Sequence, residues 1–368
     1  MQLVLEKRAE RSNTIALISP LIAIGLTIVT MVILFAILGK NPLSALFVYF
    51  IDPLTDSYSL QEIAVKATPL VMIAIGLSLC YLANAWNIGA EGQFLMGAVA
   101  GSWIAVKTQG TDAGYWVLPA MLLLGAAAGA LYALIPAICK VRFGASEILT
   151  SLMLVYVASL LLSWLVHEPW RDPEGFNFPQ TKQFTDSALY PILVEGTRLN
   201  LGFLLALAAV ALGYVFLNRS FLGFQLRVAG LAADAAKYAG FNANRMVWLG
   251  MLVGGACAGL AGMGEVAGPI GQLLPAVSPG YGFAAIIVAF VGRLHPVGIL
   301  LASLLMSLLY LGGEAAQMGL NLPSAITGLF QGMLLFFLLG SDVFINYRVK
   351  IVRPLARASV AVTAGVAR

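Results

Sequence analysis

Apolar runs of membrane length recur along this chain, each closed off by a short polar stretch. A helix crossing the hydrocarbon core needs about 20 apolar residues. Runs of that order occupy 15–38, 67–85, 88–106, 117–139, 148–166, 199–217, 247–267, 282–292, 297–316 and 323–340. The pattern predicts an all-α, polytopic transmembrane bundle of about ten spans, with 8–10 compatible. The run 282–292 is short and Gly-flanked, which predicts a half-helix or re-entrant segment. The run 15–38 follows Lys7, Arg8 and Arg11, is too long for a signal-peptide core and lacks a small-residue cleavage site, so it is read as a retained first span.

Composition agrees with lipid as the solvent. Hydrophobic residues make up 60% of the chain and charged ones 10%, with a mean hydropathy of +0.91; soluble domains carry about 25% charged residues. The net charge of +4 is modest and no basic block is dense, so the bilayer, and not nucleic acid, is the expected surroundings. Cys80, Cys139 and Cys257 sit inside apolar runs without C-x-x-C spacing and read as small packing residues.

Charge sets the orientation. With the N-terminus in the cytoplasm and ten alternating spans, 15 of the 21 Lys and Arg residues fall inside, from Lys7, Arg8 and Arg11 to Arg348, Lys350, Arg353, Arg357 and Arg368. Six fall outside: Lys40, Lys66, Lys107, Arg171, Lys182 and Arg198. Acidic residues cluster the other way, Asp112 among them, and both termini are expected in the cytoplasm. Trp86, Trp103, Trp116, Trp164 and Trp248 lie near span ends, where their rings favour the headgroup layer. Gly125-x-x-x-Gly129 and Gly255-x-x-x-Gly259 read as ordinary close helix packing in lipid. One transmembrane domain is expected over 1–368, with a cytoplasmic N-terminus at 1–14, an outer loop at 167–198, an inner loop at 218–246 and a cytoplasmic tail at 341–368.

Candidate chemistry is sparse. There is no G-x-x-x-x-G-K-[ST] phosphate loop, and His167 and His295 lack metal-ligand spacing, so the chain does not read as an enzyme or a metal binder. The most unusual stretch is Asn84-Ala-Trp-Asn-Ile-Gly-Ala-Glu-Gly-Gln93, which sets Glu91 between two membrane-length runs. Two readings stand: a broken helix lining a pathway with a bonded, buried Glu91, or an interfacial turn with Glu91 in water. Glu265 and Glu314 lie near outer span ends and read as solvated carboxylates. A second Gly- and Pro-rich stretch, 275–296, pairs with 84–97 as the two interrupted segments that mark a transporter's pathway. In the inner loop, Gly230 to Gly240 is alanine-rich and Gly-bounded, a short helix suited to docking on another protein.

These residues resemble a known family. Asn87-Ile-Gly-Ala-Glu-Gly-Gln93, Gly223-Phe-Gln-Leu-Arg-Val-Ala-Gly230, Ala235-Ala-Lys-Tyr-Ala-Gly240 and Gly282-Phe-Ala-Ala-Ile-Ile-Val-Ala-Phe-Val-Gly292 with Pro296-Val-Gly298 lie in the order seen in permeases of bacterial nucleoside and simple-sugar ABC importers. That family is related to the branched-chain amino acid and ribose permeases, and the likeness covers roughly residues 60–340. It implies a multi-pass plasma (inner) membrane subunit that moves a nucleoside or related small solute. The implied partners are two cytoplasmic ATPase subunits that bind the ATP, a second permease (a heterodimer being common in the nucleoside branch) and an extracytoplasmic solute-binding protein. The chain itself then needs no cofactor. Carried over, Asn87, Glu91, Gln93, Tyr281 and Phe283 face the pathway, and Gly223, Arg227, Gly230, Ala235, Ala236 and Gly240 form the ATPase-coupling segment. The wording at 87–93 is closer to nucleoside than to ribose-type permeases, with a simple-sugar permease as the alternative. An ion-coupled secondary transporter would call for paired mid-membrane carboxylates and gives the inner loop no purpose.

Overall fold

In lipid every backbone N–H and C=O needs an internal partner, which favours helices for runs of this length. A computed structural model of the chain describes residues 2–8, 13–111 and 114–352. Arg11, Asp112, Arg353, Arg357 and Arg368 lie outside the described residues. In chain order the elements are β1 (Gln2–Lys7), α1 (Asn13–Ile37), α2 (Pro42–Leu46), α3 (Asp52–Thr55), α4 (Ser57–Leu82), α5 (Ala90–Thr108), α6 (Val117–Phe143) and α7 (Glu147–His167). Then follow α8 (Leu201–Arg219), α9 (Phe221–Leu231), α10 (Ala233–Tyr238), α11 (Ala243–Glu265), α12 (Tyr281–Val291), α13 (Pro296–Leu320), α14 (Ala325–Asn346) and β2 (Tyr347–Val352).

Among the described residues eight helices are long and apolar enough to cross a membrane. This is the low end of the expected range, and the two expected spans that drop out are 88–106 and 282–292. The first is α5, of 19 residues, whose apolar character is diluted by Glu91, Gln93 and Lys107. The second is α12, of 11 residues, too short to span. Conversely α4 begins at Ser57, well before the expected 67, with the Asp56 carboxylate accepting from the Ser59 N–H at 3.2 Å. The sequence reading stopped at Glu62 and Lys66. The helix absorbs both because each charge is paired: Glu62 accepts from Arg198 Nε at 2.9 Å, and Lys66 Nζ donates to Glu314 at 2.8 Å.

The chain divides into two compact units, 31–332 and the two ends, 1–30 with 333–368. The unit of the ends adds to the helices an antiparallel pairing of β1 with β2, in register from Gln2 with Val352 to Lys7 with Tyr347. Opposed Glu6 and Arg348 are joined by a 2.8 Å ion pair. Ser19 Oγ donates to Asp342 at 2.5 Å in the same unit.

The larger unit is centred on α4, α5, α6 and α11. The helices α5, α6 and α11 converge on Gly97, Gly125, Gly129, Gly255 and Gly259. A Cβ on Gly259 would lie 2.9 Å from Gly129 Cα, and one on Gly125 would lie 3.1 Å from the Gly97 carbonyl oxygen. Lipid gives no hydrophobic drive to helix association, so the contact rests on dispersion between closely approached backbones. The two G-x-x-x-G stretches are the facing surfaces of this crossing. All three cysteines are free, and Cys80 donates to the Gly250 carbonyl at 3.1 Å as part of the packing. We predict that Gly259→Leu lowers the detergent melting temperature by several degrees, because overpacking costs about 1–3 kcal/mol or more. An unchanged melting curve by fluorescence-detected size exclusion would contradict this account of the crossing.

Candidate functional site

The helix ending at Leu82 does not run on into α5. Residues 83–89 are an irregular link, with Asn84 in the left-handed region at φ 55°. Its backbone groups are met by side chains. Asn87 Oδ1 accepts from the Gly89 N–H at 3.0 Å and from Gln93 Nε2 at 3.1 Å, while Asn87 Nδ2 donates to Gln93 Oε1 at 2.9 Å. The Asn87 carbonyl accepts from the Tyr81 hydroxyl at 3.0 Å, and the Ile88 N–H donates to Ser151 Oγ at 3.2 Å. Lys140 Nζ donates to the Asn84 carbonyl at 2.8 Å and to Glu147 at 2.5 Å, and the same carboxylate accepts from the Trp86 N–H at 3.2 Å. Phe290 of α12 stacks on Tyr81 at 5.1 Å and on Trp86 at 6.1 Å between ring centroids.

Glu91 is 6% exposed, which favours the broken-helix reading over the solvated turn. It occupies the first turn of α5, and its Oε2 accepts from the Gly282 N–H in the first turn of α12 at 2.6 Å. One carboxylate thus meets the positive ends of two helices, the arrangement that favours a negative charge. A side chain at position 282 has no room: a Cβ there would lie 2.5 Å from Glu91 Cα. Ser278 completes the start of α12 by accepting from the Gly280 and Tyr281 N–H groups at 3.1 and 3.0 Å. The second interrupted segment is therefore 271–280, ahead of α12, and it meets the first at Glu91.

The five expected pathway residues separate by environment. Asn87 and Gln93 are fully buried and bonded to each other across the link. Tyr281 is buried, packing on Phe94 at 6.2 Å and edge-on to Tyr310 at 5.8 Å, whereas Phe283 is 41% exposed. The coupling residues separate too. In α9, Gly223 backs onto the Phe216 carbonyl of α8 and Gly230 onto the Leu82 carbonyl of α4; Ala236 is buried with Leu79, Ala83, Leu217, Leu226, Ala229 and Met246. Arg227 is half-buried, and Ala235 and Gly240 are exposed, the latter at φ 81°. The sequence reading missed Leu231 and Tyr238, which are 87% and 97% exposed on this segment. The signal was there: two large side chains in the otherwise Ala- and Gly-rich stretch 230–240.

It also missed the grouping of outer charges. Besides the Lys66–Glu314 pair, Arg198 Nη2 contacts Glu62 Oε2, and this carboxylate holds the guanidinium above its already high ordinary pKa. Glu314 is thus half-exposed but paired, and Glu265 lies partly buried beside Tyr190 and Asn200, which corrects the picture of two freely solvated carboxylates. The loop 167–198 is anchored over the second interruption, with Thr181, Phe184 and Tyr190 N–H groups donating to Leu273, Gly271 and Ala267 carbonyls at 3.1, 2.9 and 2.8 Å.

Residues 59–339 match the family described as the permease component of the branched-chain amino acid transport system. The chain belongs to this family. It is 37% identical over 324 residues to the glucose ABC transporter permease protein TsgB13 of Haloferax volcanii, covering 85% of this chain and 84% of the relative. It is 27% identical to the nucleoside ABC transporter permease protein NupB of Lactococcus lactis, over 94% of this chain and 96% of that one. It is 29% identical to the guanosine ABC transporter permease protein NupP of Bacillus subtilis, over 88% and 93% of the two chains. The chain is accordingly a multi-pass plasma-membrane permease of an ABC importer, a transport subunit that works with ATPase and permease partners.

Asn87→Ala would strand the Gly89 N–H and both ends of the Gln93 amide; each buried group left unmet costs about 1–3 kcal/mol. We predict a marked fall in detergent melting temperature for Asn87→Ala and for Glu91→Leu, with Glu91→Gln milder because it keeps an acceptor for Gly282. Equal stability of Glu91→Leu and wild type would remove the Glu91–Gly282 bond from the account.

Proposed function

We propose that the chain, paired with a second and non-identical permease, conducts a neutral solute of the nucleoside class that an extracytoplasmic binding protein delivers. The segment 223–240 is proposed to seat in the ATPase groove. The observation that carries this reading is the seating of α9 on the end of α4. Gly230 touches the Leu82 carbonyl, one residue ahead of the irregular link that leads to Glu91. A push on α10 from a nucleotide-driven partner therefore bears on the link, then on the Glu91–Gly282 bond and on Tyr281 beyond it. Leu231 and Tyr238, exposed where a soluble partner would lie, have the size and polarity of interface anchors. Gly223, Gly230 and Ala236 serve as the internal footing of this segment, and Ala235 and Gly240 as part of its outer face.

Simple sugars are the second reading, favoured by the 37% identity to the glucose permease. The two solute classes share a hydroxyl-bearing ring and lack net charge, so uptake of labelled guanosine against labelled glucose decides between them.

For the coupling segment we expect Tyr238→Ala and Ala235→Trp to insert normally yet to lose co-purifying ATPase. An anchor worth about 2 kcal/mol weakens the partner roughly 30-fold. Full retention of the ATPase with normal transport-linked hydrolysis in both variants would refute the assignment.

A further inference from the structure

Between α13 and α14 lies a cavity of about 380 Å³ that neither the interrupted segments nor the coupling loop explains. Its walls include Tyr310, Glu314 and Gln317 on α13, Thr327 and Gln331 on α14, and Pro279 ahead of α12. Ligand pockets generally occupy 300–1,000 Å³ and rely on a few placed polar groups. Two of the polar groups here are engaged: Thr327 Oγ1 lies 3.2 Å from the Tyr49 hydroxyl, and Glu314 is held by Lys66 at 2.8 Å. Gln331 differs in being buried at 8% exposure. Its amide lies beside the Tyr310 hydroxyl on the facing wall, and its Nε2 has no acceptor in hydrogen-bonding geometry among the described residues. A buried amide donor without an acceptor is costly, and here it lines a cavity large enough for something to supply one.

The position of the cavity gives this donor a use. Tyr310 stands edge-on to Tyr281 at 5.8 Å, and Tyr281 directly precedes the Gly282 N–H bonded to Glu91. One wall of the cavity is thus continuous with the meeting point of the two interrupted segments. Its charge is also informative. The Lys66 ammonium neutralises the one carboxylate in the lining, so no lone cation or anion is offered to a zwitterion such as an amino acid. An amide donor, an aromatic ring and a second amide at Gln317 suit a neutral ring bearing hydroxyls.

We propose that this cavity is a solute subsite of the transport pathway, in which Gln331 Nε2 donates to an oxygen of a neutral polyhydroxylated ring and Tyr310 packs against its apolar face. The proposal deepens the solute reading given above and rests on it for the ligand class.

The test uses membrane vesicles holding the complete transporter with its partner subunits, supplied with labelled guanosine, glucose or leucine. Gln331→Leu raises KM roughly ten-fold for the neutral solute carried by wild type, the effect of one lost hydrogen bond, with Gln331→Asn intermediate. An unchanged KM in a correctly assembled Gln331→Leu transporter overturns the subsite and leaves the solute reading standing. Wild-type uptake of leucine, with neither neutral solute carried, overturns the solute reading and the proposed ligand class together. A second arm does not depend on the solute. Gln331→Cys reacts with a membrane-impermeant cationic thiol reagent added from outside, at a rate well above that of the wild-type cysteines. No reaction above that background overturns the assignment of the cavity to an aqueous pathway, even where Gln331→Leu fails to assemble.

Discussion

A helix interrupted within a membrane must find a partner for every backbone group it frees, and the arrangement of this permease follows from how that demand is met between α4 and α5. The link at 83–89 survives because Asn87 and Gln93 close on each other, Ser151 and Lys140 take up a stray N–H and a stray carbonyl, and Tyr81 caps a third. Removing water makes each of these bonds stronger and each omission more costly. The link therefore has few conformations open to it, which is what a mechanical connection between two helices requires.

Glu91 joins this link to the second interruption. A carboxylate near the hydrocarbon is expensive in isolation. Sitting in the first turn of α5 and accepting from the Gly282 N–H in the first turn of α12, it brings the two interrupted segments to a single point. Glycine is required at 282 by space alone, since the α5 backbone occupies the place of a side chain. On one side the link continues through the Leu82 carbonyl to Gly230 and the exposed rim at Tyr238. On the other, α12 continues through Tyr281 to Tyr310. The same chain of contacts explains why the segment 223–240 is rich in small residues: Gly223, Gly230 and Ala236 let α9 and α10 pack closely against their neighbours.

The rest of the bundle is a frame for this line. The glycine crossing of α5, α6 and α11 holds α5 at backbone distance from its neighbours. The pairs Glu62–Arg198 and Lys66–Glu314 tie α4 to the loop 167–198 and to α13. Paired in this way, charges that would otherwise end a span are carried within α4.

Much of this was legible in the sequence, for identifiable reasons. Hydropathy and charge bias depend only on composition along the chain, so the membrane class, the helical architecture, most span positions and the interruption at 84–93 could be read directly. The G-x-x-x-G spacing likewise announced close packing without naming the partner. Tertiary structure decided what depends on distance across the fold. It separated Asn87 and Gln93, bonded to each other, from Tyr281, which packs edge-on to Tyr310. It placed Glu91 against a helix 191 residues away in sequence. It extended α4 past Glu62 and Lys66 because their counter-charges, Arg198 and Glu314, come from remote segments. It also left Gln331 Nε2 without an acceptor in hydrogen-bonding geometry among the described residues, a fact no local pattern encodes, because whether a polar group is satisfied depends on every element packed around it.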